Sequence, residues 1–306
     1  MFSLGVVMIV KNEEQFIEKV IQNIQPIADE IIITDTGSTD STIDIIKKFR
    51  LKLFHYKWDG DESRARNFTL SKCNTEWILS VDADEFIDIR DYQKIRKLIS
   101  SKNRYIAYRI LLRHYLDPRI GLENIFQKTS TNFYILNTIV RLFKNNEGIF
   151  YSRSTYSTIH ESLRDRADRI GDSKVTFHHL DILRNAQKRI EKRRWYLHDV
   201  FENLKKFPDD PDTNYIVAHY YWLRGDFNKA IRYYKKTLQL NPEHIKAKLS
   251  LGLSYIAIGE ENKGMKIINA CRDNKSIYPW EIESYLNTAY KIIIDRVVRK
   301  KEDRIE

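Results

Sequence analysis

The chain has 306 residues, 42% of them hydrophobic and 31% charged, enough apolar material for one large or two ordinary cores and too much charge for a membrane protein. Its apolar runs, such as Leu4–Val10 and Ile31–Ile33, reach strand length and fall far short of the about 20 residues of a bilayer-spanning helix; no basic leader precedes the first run, so the expectation is a cytoplasmic protein with no signal peptide and no transmembrane segment. The net charge of +10 calls for an anionic partner, but basic residues are mixed with acids, no module interleaves them with aromatics, and no nucleic acid is expected.

In chain order, Leu4–Val10 reads as a strand and Glu13–Ile24 as a helix carrying Phe16, Ile17, Val20, Ile21 and Ile24 at helical spacing. Glu30–Thr34 is a second strand. Gly37-Ser38-Thr39-Asp40 is a turn and helix cap feeding the helix Thr42–Phe49. Lys52–Tyr56 is a third strand, Arg64–Cys73 a helix and Trp77–Val81 a fourth strand. Strands alternating with helices predict a mostly parallel sheet covered on both faces. Ligands of such sheets bind beyond the carboxyl ends of the strands, where this chain carries Lys11-Asn12-Glu13, Asp35-Thr36-Gly37 and Asp82-Ala83-Asp84. Less regular strands follow at Tyr105–Leu112, Ile139–Phe143, Gly148–Tyr151 and Lys174–His178, while Arg113–Asn137 matches no pattern.

After residue 181 the strand signal ends and a repeat begins. Pro208 and Pro242, Ala218 and Gly252, Tyr221 and Tyr255, Gly225 and Gly259, and Ala230 and Gly264 are each 34 residues apart. That period, with small residues at helix crossings and Pro after the second helix, is the tetratricopeptide pattern. Ile182–Phe207 and Trp280–Arg299 would be the flanking helices that such a short solenoid needs to bury its faces. The expected organisation is an α/β domain over residues 1–180 followed by an all-α tetratricopeptide-repeat domain over 181–306. Cys73 and Cys271 lie far apart and read as two reduced thiols rather than a disulfide or a zinc site.

Asp82 and Asp84 stand two apart at a strand end, and in extended geometry both carboxylates point to one face. They repel unless a cation sits between them, and hard oxygen ligands suit Mg²⁺ or Mn²⁺ with positions left open for phosphate oxygens. An EF-hand loop is excluded, because Ile87 replaces the required Gly and Gln93 the required Glu. Arg64 and Arg66 open a helix after a strand and could face phosphate, with a surface salt bridge the equal alternative for Arg64. No Gly-x-Gly-x-x-Gly follows the first strand, which disfavours a dinucleotide oxidoreductase.

Four segments, Val10-Lys11-Asn12-Glu13, Ile33 to Asp40, Ala65-Arg66-Asn67 and Trp77 to Asp84, resemble in order and spacing the nucleotide-binding half of family-2 glycosyltransferases of the GT-A fold. The resemblance implies a UDP-sugar donor bound by Val10, Asn12, Glu13, Asp35, Arg66, Asp82 and Arg141, and a divalent metal (Mg²⁺ or Mn²⁺) on Asp84. Arg141-Leu142-Phe143, then His160-Glu161, then a strand ending in His recur in members with a tetratricopeptide tail, including the S-glycosyltransferases of bacteriocin peptides. This makes Glu161 the expected general base and His178 an expected further metal ligand, with the reservation that adjacent strand residues point to opposite faces, so only one of His178 and His179 serves. The resemblance further implies an inverting transfer to a peptide or protein acceptor (Cys, Ser or Thr), such as a bacteriocin precursor, and a homodimer through the helical half. Transfer to lipopolysaccharide or another envelope glycan, and a non-catalytic peptide-binding adaptor, are the alternatives.

Overall fold

The structure is a computed structural model that describes residues 2–115, 134–152, 157–184, 187, 200–274 and 279–302. The chain divides into two compact units, Met1–Glu191 and Lys192–Glu306. Among the described residues, no helix is long and apolar enough to cross a membrane.

In the first unit, β1 (Leu4–Val10), β2 (Glu30–Asp35), β3 (Lys52–His55) and β4 (Trp77–Ser80) pair in parallel in the order β3-β2-β1-β4. The sheet continues through β7 (Tyr134–Lys144), β6 (Ala107–Tyr115), β8 (Ile170–His179) and the three-residue β5 (Glu85–Ile87), with antiparallel pairs except for β6 and β8. Alternation along β1 sends Leu4, Val6, Met8 and Val10 into the core on one side of the sheet and Val7 to the other. On the first side lies α1 (Ile17–Ile24), whose buried Ile17, Val20, Ile21 and Ile24 follow helical spacing; burying four such side chains contributes roughly 6–12 kcal/mol before entropy is counted. Ile95 and Ile99 of α4 (Tyr92–Ser100) join the same core.

The parallel half follows the expected order, with α2 (Thr42–Ile46) shorter and α3 (Glu62–Leu70) starting earlier than predicted, where the Asp61 side chain caps the N–H groups of Ser63 and Arg64. The later half differs. Gly148–Tyr151 is no strand: Asn146 and Gly148 adopt positive φ and turn the chain, leaving an isolated bridge between Ser152 and Thr158. β5 and the 3₁₀ helix Glu161–Arg169 have no counterpart in the sequence reading.

The second unit is a stack of helices: α5 (Pro211–Leu223), α6 (Phe227–Leu240), α7 (Ile245–Ala257), α8 (Glu261–Asn269) and α9 (Pro279–Glu302). α5 packs on α6 and α7 on α8, and the repeat positions explain how. Ala218 and Ala230 are fully buried, and Gly225 and Gly259 take φ of 73° and 98° to end α5 and α7. Gly252 and Gly264 meet backbone to backbone. The expected flanking helix Ile182–Phe207 begins instead as a 3₁₀ turn, Asp181–Leu183, and most of its length lies outside the described residues.

A Cβ added at Gly264 would lie 2.4 Å from the Gly252 carbonyl oxygen. Although alanine favours a helix by about 1 kcal/mol, Gly264→Ala is expected to destabilise the helical unit by about 1–3 kcal/mol through overpacking. Urea unfolding followed by circular dichroism measures this, and a stabilised variant would contradict the close crossing.

Candidate active site

Parallel pairing brings the carboxyl ends of β1, β2 and β4 to one edge of the sheet. There Val10 contributes backbone: its carbonyl accepts the Thr36 N–H (2.9 Å) and hydroxyl (3.0 Å), which ties the first two loops together. Asn12 adopts φ 58°, a conformation Asn tolerates better than most residues. Its side-chain oxygen accepts the Thr39 N–H at 2.7 Å, and its own N–H donates to the Ser38 hydroxyl at 2.9 Å. The buried Asp35 carboxylate accepts from the N–H groups of Gly37 (2.9 Å) and Ser38 (3.1 Å). Val10, Asn12 and Asp35 thus build and brace the edge.

Beyond β4 the chain does not stay extended. The Glu85 N–H donates to the Asp82 carbonyl at 2.9 Å, closing a turn, so the expectation that the Asp82 and Asp84 carboxylates are aligned by strand geometry is replaced by separate anchoring. Asp82 accepts from Arg66 Nη2 at 2.8 Å and from Arg141 Nη2 at 2.5 Å. Arg141 also donates to the buried Glu85 at 2.7 Å; it reaches this level because β7 runs antiparallel to β4 with Leu142 opposite Leu79. Burial pushes the Asp82 carboxyl up, but Arg141 and Arg66 outweigh it and hold the group well below the usual carboxylate range. At Glu85 burial wins over Arg141, and its pKa is raised. Arg66 also donates to Glu62 at 2.8 Å and lies over the Tyr151 ring, 5.2 Å from its centroid.

Asp84, only 3% exposed, faces a different cation. Arg184 Nη2 donates to its Oδ2 at 2.7 Å and reaches Glu13 through Nη1 (2.6 Å) and Nη2 (2.9 Å). Glu13 and Asp84, two residues of separate motifs, are therefore bridged by a side chain that the sequence reading missed and that lies beyond the expected domain limit at residue 180. A single Arg after a strand offers little signal; Asp181 is three residues away, but Glu13 and Asp84 become partners only in the folded chain.

The structure separates His178 and His179. Glu85 pairs with His179, and Phe86 with His178; directly opposed residues share a face, so His179 sits on the Glu85 side of the sheet. His179 Nε2 is 3.6 Å from Asp84 Oδ1, and its Nδ1 is 2.9 Å from Nδ1 of His114. His178 is fully buried on the other face, hydrogen-bonded to the Tyr115 hydroxyl at 2.7 Å and 3.5 Å from Asp88. Burial pushes its pKa down to about 4 despite Asp88.

Two other candidates stand apart from this network. Glu161 is exposed at the first position of its 3₁₀ helix. Arg64 is exposed and paired with Asp59 and Asp61. Cys73 and Cys271 are both free thiols.

No three His, Cys, Asp or Glu side chains among the described residues form a ready metal cage. Asp84 Oδ1 and His179 Nε2 offer two donors on one side. One carboxylate oxygen and one imidazole nitrogen leave most positions of a divalent ion to water and a bound phosphate, which fits an open site and not a closed structural one.

The family model described as glycosyl transferase family 2 matches residues 5–166. An uncharacterized glycosyltransferase of Rickettsia typhi is 32% identical over 165 residues, 53% of this chain and 53% of its own. The TPR repeat-containing protein Synpcc7942_0270 of Synechococcus elongatus is 23% identical over 275 residues, 86% of this chain and 63% of its own. The SPbeta prophage-derived glycosyltransferase SunS of Bacillus subtilis is 38% identical over 93 residues, 30% of this chain and 22% of its own. The chain spans about half the length of the Rickettsia relatives it matches.

The Arg141 guanidinium is 6% exposed and serves two carboxylates. Arg141→Met leaves both without that partner, and the expected cost is about 3–5 kcal/mol of stability, read from urea denaturation at pH 7. An effect no larger than that of Arg64→Ala, a change on the open surface, would show that the buried network is not what holds this edge.

Proposed function

Because the chain belongs to glycosyl transferase family 2, we propose that it moves a sugar from a nucleoside diphosphate donor, a UDP-hexose, to a Cys, Ser or Thr side chain of a peptide or protein, with inversion at the anomeric carbon. Its first unit has the GT-A type of α/β architecture and its second is a tetratricopeptide-repeat stack. The observation that supports the reading furthest is the convergence of Glu13, Asp82, Asp84 and Glu85 with Arg66, Arg141, Arg184 and His179 at the carboxyl edge of the parallel strands. That edge is where open α/β sheets bind nucleotides.

In this reading the braced loops at Asn12 and Asp35 shape the nucleoside pocket, with Glu13 beside it. Asp82, kept ionised and fixed by two guanidiniums, orients the ribose or the sugar. Asp84 and His179 hold a divalent ion, Mn²⁺ or Mg²⁺, which when bound supplies Lewis-acid neutralisation of charge on the departing diphosphate. Fixed guanidiniums add stabilisation that needs no reorganisation during the reaction. Glu161 takes the proton from the acceptor; its exposed position is one an acceptor reaches from solvent. Tetratricopeptide stacks hold extended peptides, which favours a peptide acceptor such as a bacteriocin precursor.

Donor hydrolysis by UDP-sugars with Mn²⁺, read by mass spectrometry, tests the donor site. Asp84→Asn and His179→Ala are each expected to lower turnover on the order of 10²–10³-fold, and full activity in both would sink the metal assignment. Glu161→Gln is expected to lower transfer to acceptor by about 10²–10⁴-fold while leaving UDP binding by calorimetry intact; an equal loss of binding would assign Glu161 to the donor instead.

A further inference from the structure

Arg184 follows the last strand of the first unit by five residues, yet its guanidinium lies against the motifs nearest the amino terminus. It is 7% exposed. Two of its N–H groups grip Glu13 at 2.6 and 2.9 Å, Nη2 also meets Asp84 Oδ2 at 2.7 Å, and Nε donates to Asp181 at 2.9 Å. Its underside rests on Phe16, 5.2 Å from the ring centroid. A planar fork is well suited to such shared carboxylate binding and equally to the oxygens of a diphosphate.

Asp84 thus carries a guanidinium on one oxygen while the other faces His179 Nε2 at 3.6 Å. A divalent ion brought alone to Asp84 meets an oxygen already taken by the Arg184 guanidinium, so the two cations compete for one carboxylate. A nucleoside diphosphate changes the balance, because its oxygens can serve both the ion and the guanidinium. We propose that Arg184 is a resident counter-ion of the donor site, competing with a divalent metal for Asp84 and so making metal binding conditional on the nucleoside diphosphate. The inference rests on the donor-site reading above and adds an order of binding to it. Arg184 bridges Glu13 and Asp84 before the donor arrives and offsets part of their charge. It then shares or leaves Asp84 and engages the diphosphate.

The test is Mn²⁺ binding to the full chain, followed by the electron paramagnetic resonance signal of free aquo-Mn²⁺ with and without UDP. The wild-type chain is expected to bind Mn²⁺ weakly alone and at least about tenfold more tightly with UDP, a coupling that must be reciprocal. Arg184→Gln is expected to bind Mn²⁺ alone at least about tenfold more tightly than wild type, the direction set by removing one nearby positive charge, and to lose most of the UDP enhancement. Arg184→Lys keeps the charge and should stay weak for Mn²⁺ alone. Thermal melts with and without Mn²⁺ report folding independently; the ion should raise the melting temperature of Arg184→Gln more than that of wild type. Wild-type Mn²⁺ affinity that ignores UDP overturns the inference even if Arg184→Gln fails to fold. Normal UDP coupling in wild type with unchanged Mn²⁺ affinity in Arg184→Gln overturns it while the donor-site reading stands. A wild-type chain that binds neither UDP nor Mn²⁺ removes both.

Discussion

Three carboxylates, those of Asp82, Asp84 and Glu85, lie within four consecutive positions at the end of a buried strand, and the site depends on how their charge is held. Each is engaged by a guanidinium from elsewhere in the chain: Arg66 and Arg141 on Asp82, Arg141 on Glu85, Arg184 on Asp84. A buried ion pair of this kind is costly to assemble and costly to break, so it defines geometry more than it adds net stability. The opposite pKa directions of neighbouring Asp82 and Glu85 follow from it. Two guanidiniums overcome burial at Asp82, whereas the shared Arg141 does not overcome it at Glu85.

Much of the architecture was legible because it rests on short-range regularities. The alternation of apolar strands with amphipathic helices over Leu4–Ser80 translated into the parallel order β3-β2-β1-β4. The 34-residue register translated into buried small residues at helix crossings and positive-φ glycines at helix ends. Both signals are local: a period of two or of about 3.6 for elements, and a fixed repeat for the stack. The strand expected at Gly148–Tyr151 failed because its apolar residues serve a turn-rich segment, with Asn146 and Gly148 bending the chain just before them.

Within the site the same divide appears. Asp82, Asp84, Glu13 and Arg66 stood out by motif, and the structure brings them to one edge. The choice between His178 and His179 did not stand out, since alternation says that the two face opposite ways and is silent on which way is inward. That depends on the register of β8 against β5, a strand of three residues too short to carry a period. Arg184 was invisible for a related reason: its partners lie 171 and 100 residues away.

This distribution has a consequence for folding. The recognisable motifs end at Asp84, but the cations that stabilise their carboxylates include Arg141 on β7 and Arg184 after β8, and His179 is set by β8 itself. A fragment carrying only the parallel strands would bury Asp82, Asp84 and Glu85 without these partners, a penalty that such a fragment can avoid only by exposing or protonating them. The antiparallel strands are therefore part of the carboxylate network at this edge and not an addition to it. The motif that is easiest to read in the sequence becomes a site only when the least readable part of the first unit has folded beside it.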